Sequence, residues 1–127
     1  MKALLTHAAL ATIGALSVNL AHATAFAYYG NPYKDYSTTL TDVRGECKVG
    51  THTFITYLPG GTSTFGCWVN TKRNTVLLKY SGSGVMNELN TAELVLAGMH
   101  DDRPATHAEW TNALRDLAIL DDAASKL

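Results

Sequence analysis

Residues 51–89 consist of short apolar runs separated by turn-forming residues. Pro59-Gly60-Gly61, the polar residues 71–74 and Ser81-Gly82-Ser83-Gly84 mark the breaks between runs. The runs themselves are residues 51–58, 64–70, 75–80 and 85–89. Short runs rich in β-branched and aromatic residues with such breaks are typical of antiparallel hairpins. The pattern predicts a four-stranded antiparallel meander, with residues 36–43 as an extra strand at its edge.

A helical period replaces the strand pattern after Pro104. Thr106 and Glu109 have the spacing of a capping box, in which each residue satisfies a free backbone N–H of the other. Apolar residues then recur at helical spacing: Trp110, Ala113, Leu114, Leu117 and Leu120. We therefore expect an amphipathic helix over residues 107–124. The preceding segment, residues 90–99, fits either a short capped helix or a last strand.

Cys67 and Trp68 are predicted to lie on opposite faces of the sheet, because successive strand side chains alternate. If Cys67 points into the core with Phe65 and Val69, Trp68 points to the other face. Large apolar residues occur on both faces, so we expect the second face to be covered by the helix, another subunit or a ligand. Trp68 is thus either a core residue under the helix or an anchor for a partner.

The first residues resemble a secretory signal. Met1-Lys2 provides a positive start, residues 3–18 are largely apolar, and A-x-A cleavage frames end at Ala23, Ala25 and Ala27. An uncleaved membrane anchor is the alternative, but the apolar stretch is shorter than the roughly 20 residues needed to span a bilayer. We predict a signal peptide over residues 1–23, with cleavage after residue 23, 25 or 27. A single exported domain follows at 28–127, with a Tyr-rich arm (28–36), a sheet (37–89) and a helical tail (90–127).

Export determines how the two cysteines are interpreted. Cys47 and Cys67 are the only cysteines of the chain. In an oxidising compartment an even pair forms a disulfide with one available connectivity. The combined prediction is an α+β fold: a small antiparallel meander of four to five strands, one disulfide and a C-terminal amphipathic helix.

Gly66-Cys67-Trp68, followed by an apolar strand, Tyr80 and a glycine turn, resembles a motif of small exported bacterial proteins. In that group an upstream cysteine pairs with the Gly-Cys-Trp strand, and a hairpin follows. The resemblance covers residues 47–94 and implies a fold but no activity. The tail from Ala97 to Leu127 departs from that pattern.

Charge and motifs narrow the classes of function. The chain is 46% hydrophobic and 17% charged with a net charge of −1, which disfavours a disordered chain or a nucleic-acid-binding protein. It carries no nucleophile elbow, P-loop or zinc-protease motif, so we predict no enzymatic activity and no cofactor. One metal candidate remains in His100, Asp101, Asp102 and His107, whose imidazoles and carboxylates occur close together in sequence. The alternative is a polar loop that caps the helix.

A tyrosine-rich segment follows the predicted signal. Tyr28, Tyr29, Tyr33 and Tyr36 present rigid amphipathic surface, which suits either recognition of a partner or packing across the sheet. With Trp68 they are the predicted partner-binding residues. The sequence therefore favours a non-enzymatic envelope or periplasmic binding module whose partner is another envelope or secreted protein, and it also allows a homo-oligomer. A small metal-dependent enzyme or metal-binding protein is the alternative.

Overall fold

The computed structural model of the protein describes residues 24–30, 37–99 and 102–127. Within these ranges the chain forms a seven-stranded antiparallel sheet and one long helix. The strands are β1 (Ala25–Gly30), β2 (Ser37–Thr41), β3 (His52–Tyr57), β4 (Ser63–Asn70), β5 (Thr75–Tyr80), β6 (Met86–Asn90) and β7 (Val95–Leu96). The helix, α1, spans His107–Ala124, and single 3₁₀ turns occur at Pro59–Gly61 and Thr91–Glu93.

The sheet extends the predicted meander on one side. Strands β3 to β6 form the expected four-stranded unit, and the full strand order is β6-β5-β4-β3-β2-β1-β7. The expectation of four to five strands was too low. The predicted extra strand, β2, lies inside the sheet between β3 and β1 instead of at its edge. Residues 28–30, expected to belong to an arm, form the second half of β1.

The sheet curls so that its two edges approach each other. β6 is one edge, whereas β7 pairs with β1 at the opposite edge through Ala27 with Leu96 and Tyr28 with Val95. Only residues 91–94 connect β6 to β7. A connection this short requires the sheet to bend round on itself. The curl gives the sheet a concave inner face and a convex outer face.

The main core fills the inner face, and α1 closes it. Buried residues from all seven strands meet there with residues of the β6–β7 connection, of α1 and of the segment before α1: Ala27, Leu40, Phe54, Trp68, Val76, Leu78, Leu89, Leu94, Leu96, Ala105, Trp110 and Leu117. Phe26 packs between the two tryptophans, with ring centroids 5.3 Å from Trp68 and 5.5 Å from Trp110. The helix therefore docks through aromatic packing on the sheet.

The start of α1 confirms the predicted capping box. The Thr106 hydroxyl accepts from the Glu109 N–H at 3.1 Å, and the Glu109 carboxylate accepts from the Thr106 N–H at 2.9 Å. Arg103 donates two further hydrogen bonds to Glu109, at 2.8 and 2.7 Å. The pKa of Glu109 is lowered to about 2, mainly by the hydrogen bonds from Arg103 and secondly by the one from the Thr106 backbone. Of the two alternatives for residues 90–99, the structure has the last strand, β7, which follows a single 3₁₀ turn capped by Asn90; within this described segment no helix extends to Gly98.

Candidate interaction surface

The predicted disulfide between Cys47 and Cys67 is present. It joins the β2–β3 connection to β4, with the two Cα atoms 5.8 Å apart. Thr53, which pairs with Cys67 across β3 and β4, is buried on the outer face. Its N–H donates to the Val43 carbonyl of the same connection. The connection therefore covers part of the outer face, and the disulfide fixes it there.

Trp68 lies on the helix-covered face, so the condition that Cys67 points into the core with Phe65 and Val69 does not hold. It is 2% exposed, and its indole N–H donates to the Thr41 carbonyl at 3.0 Å. Cys67, Phe65 and Val69 lie on the outer face and are only partly buried. Of the two roles expected for Trp68, the structure supports that of a core residue under the helix.

Two residues on the same face of β4 as Trp68 explain why the sequence pattern pointed to the wrong face as the core. On its face the sequence places Gly66 and Asn70, which look like poor core residues. A side chain at Gly66 would collide with the Lys79 carbonyl and the ring of Phe54, so only glycine fits under that ring. Asn70 accepts a hydrogen bond from the Trp110 indole at 2.8 Å. Both residues therefore serve the core.

A second polar contact holds the far half of α1 to the sheet. His52 Nε2 lies 2.8 Å from Asp121 Oδ2, with the His52 side chain 5% exposed. Its ring also lies against Trp68, at a centroid distance of 5.6 Å. Sequence reasoning missed this pair because its members are 69 residues apart and no motif links them. The contact therefore joins the far half of α1 to β3.

The predicted tyrosines separate into three groups. Tyr28 points to the outer face and is 43% exposed, whereas Tyr29 is partly buried against the core. Tyr33 and Tyr36 lie outside the described residues. Tyr28 is therefore accessible to a partner, whereas Tyr29 contributes to the packing of the core.

Two further exposed apolar side chains lie near Tyr28 and were missed by the sequence analysis. Tyr57 is 40% exposed and Leu58 is 41% exposed. Tyr28 pairs with Thr39, which pairs with Ile55, two residues before Tyr57. The register therefore places both tyrosines on the outer face. Partial burial raises the pKa of Tyr57.

This surface lies at one end of the sheet. Gly30 pairs with Ser37, and Ser37 pairs with Tyr57, so the last residues of β1 and β3 lie at the same end of the sheet. The β1–β2 connection is residues 31–36, which include Tyr33 and Tyr36 in the sequence. We call Tyr28, Tyr57 and Leu58 the tyrosine end.

A groove of about 590 Å³ lies on the outer face beside the disulfide. Its apolar lining includes Val69, Leu77 and Met86, and Lys48 and Lys79 stand among its polar residues. The helix covers the inner face, and this part of the outer face is left open to solvent. The prediction that both faces carry apolar groups is therefore confirmed. The β2–β3 connection covers only part of the outer face and leaves this groove exposed.

The predicted metal residues are only partly described. His100 and Asp101 lie outside the described residues, whereas Asp102 and His107 are exposed. Within residues 24–30, 37–99 and 102–127, no group of three or more histidine, cysteine or acidic side chains is placed to hold a metal ion. The metal site stays a prediction, which elemental analysis of the purified protein tests.

In the described part of the chain, no helix has the length and apolar character needed to cross a membrane.

Comparison of the chain with protein-family models, curated proteins and solved structures finds no match.

Proposed function

We propose that this chain is a non-enzymatic binding module of the bacterial envelope. It acts as an inhibitor, an immunity or exclusion factor, or an accessory subunit, and its partner is another envelope or secreted protein. The observation that carries the proposal is the tyrosine end, where Tyr28 and Tyr57 are exposed on the outer face of the sheet and the exposed Leu58 directly follows β3.

Tyrosine is suited to recognition of a protein surface. Its ring buries a large apolar area, its hydroxyl forms a hydrogen bond at the rim, and its few torsions cost little entropy on binding. Two such rings, one on β1 and one on β3 with β2 between them, are held in place by the sheet before a partner arrives. Such preorganisation reduces the entropy lost on association.

The disulfide supports an extracytoplasmic location. Structural disulfides persist in oxidising compartments and are rare in a reducing cytosol. Cys47 and Cys67 are both oxidised, and the described residues include no free cysteine. This agrees with the secretory signal predicted over residues 1–23 and with the resemblance of residues 47–94 to small exported proteins.

Affinity measurements on the captured partner test the proposal. The immobilised protein is incubated with envelope extract, the retained protein is identified and purified, and its Kd is measured for each variant. We expect Tyr28→Ala and Tyr57→Ala to weaken binding at least about tenfold each, as expected for interface aromatics whose loss costs more than about 1–2 kcal/mol.

Matched controls lie on the helix. Ile119 and Leu120 are 60% and 61% exposed, so Ile119→Ala and Leu120→Ala remove similar apolar surface elsewhere. These controls should leave Kd unchanged, and Kd is compared at a temperature at which circular dichroism shows all four variants to be folded. If the helix variants weaken binding and the tyrosine variants do not, the tyrosine end is not the contact surface.

A further inference from the structure

The first described residue of the chain is tied to the β2–β3 connection by a pair of hydrogen bonds. The Thr24 N–H donates to Asp42 Oδ1 at 3.0 Å, and the Asp42 N–H donates to the Thr24 carbonyl at 3.0 Å. Thr24 directly precedes β1 and is exposed, and Asp42 is half-buried. A carboxylate therefore stands at hydrogen-bond distance from the backbone nitrogen of Thr24.

The fold discriminates among the three cleavage frames of the predicted signal. Cleavage after Ala25 removes both Thr24 bonds and the pairing of Ala25 with Thr41. Cleavage after Ala27 also removes Phe26, which packs between the two core tryptophans, together with the fully buried Ala27. Only cleavage after Ala23 leaves all of β1 and its contacts in the mature chain.

We propose that a signal peptidase cleaves the Ala23–Thr24 bond and that the new α-ammonium group of Thr24 forms an ion pair with Asp42. The small residues Ala21 and Ala23 supply the A-x-A frame. The proposal rests on the predicted signal and is independent of the tyrosine end.

The cleavage step is a hydrolysis. Water adds its hydroxyl group to the carbonyl carbon of Ala23 as the bond to the Thr24 nitrogen breaks. The remaining proton of water goes to that nitrogen, and the proton released by the new carboxyl group completes the ammonium. The charge appears at the atom that already donates to Asp42, so processing replaces a hydrogen bond from a neutral N–H to the carboxylate by an ion pair between ammonium and carboxylate.

N-terminal sequencing of the exported protein tests the cleavage site, and two variants separate the frames. Ala21→Leu blocks only the frame ending at Ala23, whereas Ala25→Leu blocks the frames ending at Ala25 and Ala27. We expect a mature chain starting at Thr24 in the wild type and in Ala25→Leu, and loss of that product in Ala21→Leu. A mature chain starting at Phe26 or Tyr28, or an exported chain that is not cleaved, overturns the proposal.

Thermal unfolding tests the ion pair. Asp42→Asn keeps an acceptor oxygen but removes the charge. It should lower the Tm of the chain starting at Thr24 by about 2–5 °C, since exposed ion pairs are weak. In the same chain with its α-amino group acetylated, the shift should fall to less than half. Equal shifts with the free and the acetylated amine would show that no ion pair forms.

Discussion

Replacing Trp68 by alanine tests the arrangement of the core. The side chain is 2% exposed and lies between Phe26, His52 and Trp110, with centroid distances of 5.3, 5.6 and 6.5 Å. Its removal leaves a cavity under α1 and takes the indole donor away from the Thr41 carbonyl. Trp→Ala changes in cores cost about 3–5 kcal/mol.

That loss is large for a domain of this size. Small domains have a free energy of unfolding of about 5–15 kcal/mol, so this change removes a large fraction of it. At about 4–8 °C per kcal/mol, Tm should fall by about 12–40 °C. Urea unfolding followed by circular dichroism gives the free energy of unfolding directly.

Val69 provides the matched control, since it is the next residue of β4 and points to the outer face. It is only partly buried, so Val69→Ala should cost about 1 kcal/mol. Trp68→Ala and Val69→Ala should therefore differ by at least about 2 kcal/mol. Similar small losses for the two variants would refute the assignment of the inner face as the main core.

Three further predictions concern the helix, the disulfide and the capping box. Leu117→Ala should cost about 2–4 kcal/mol in urea unfolding because Leu117 is buried on the face of α1 that packs against the core, whereas Arg115→Ala, at an exposed residue, should change stability by less than about 0.5 kcal/mol. Replacing Cys47 and Cys67 together by serine should cost about 3 kcal/mol because the bridge closes a loop of sequence separation 20, and reductant should reproduce that loss in the wild type. The pKa of Glu109 is lowered to about 2, so its contribution to stability is present above its ordinary pKa and is lost as pH falls from about 4.5 towards 2. The urea midpoint of the wild type should therefore fall more steeply over that range than that of Glu109→Gln, and parallel profiles would contradict this.

The helix and the central hairpins were predictable because their signals are local. The capping box at Thr106 and the apolar period that follows define α1 within one segment of chain. Pro59-Gly60 likewise marks a turn without reference to distant residues. Each signal is set by neighbouring residues, so the sequence contains what is needed to interpret it.

The strand pairing and the core face depend on residues far apart in sequence. Nothing within β1 specifies that it pairs with β2 on one side and with β7 on the other. The disulfide was assumed to mark the core, yet Cys67 lies on the outer face. The roles of Gly66 and Asn70 become visible only when Phe54 and Trp110 are placed beside them.

The candidate surface was only partly predictable for the same reason. Tyr28 belonged to a recognisable tyrosine-rich segment, whereas Tyr57 looked like an ordinary strand residue next to a turn. Its exposure and its position near Tyr28 follow from the pairing of β3 with β2 and of β2 with β1. A pattern with period two assigns a face but not the neighbours on that face.

NMR cross-saturation identifies the residues of this protein that contact a bound partner. It tests most directly the claim that the tyrosine end is the contact surface. In the complex, saturation transferred from the partner should reduce the signals of Tyr28, Tyr57 and Leu58. The signals of Ile119 and Leu120, which are exposed on α1, should keep their intensity. Reduced signals on α1 together with full intensity at the tyrosine end would contradict the account.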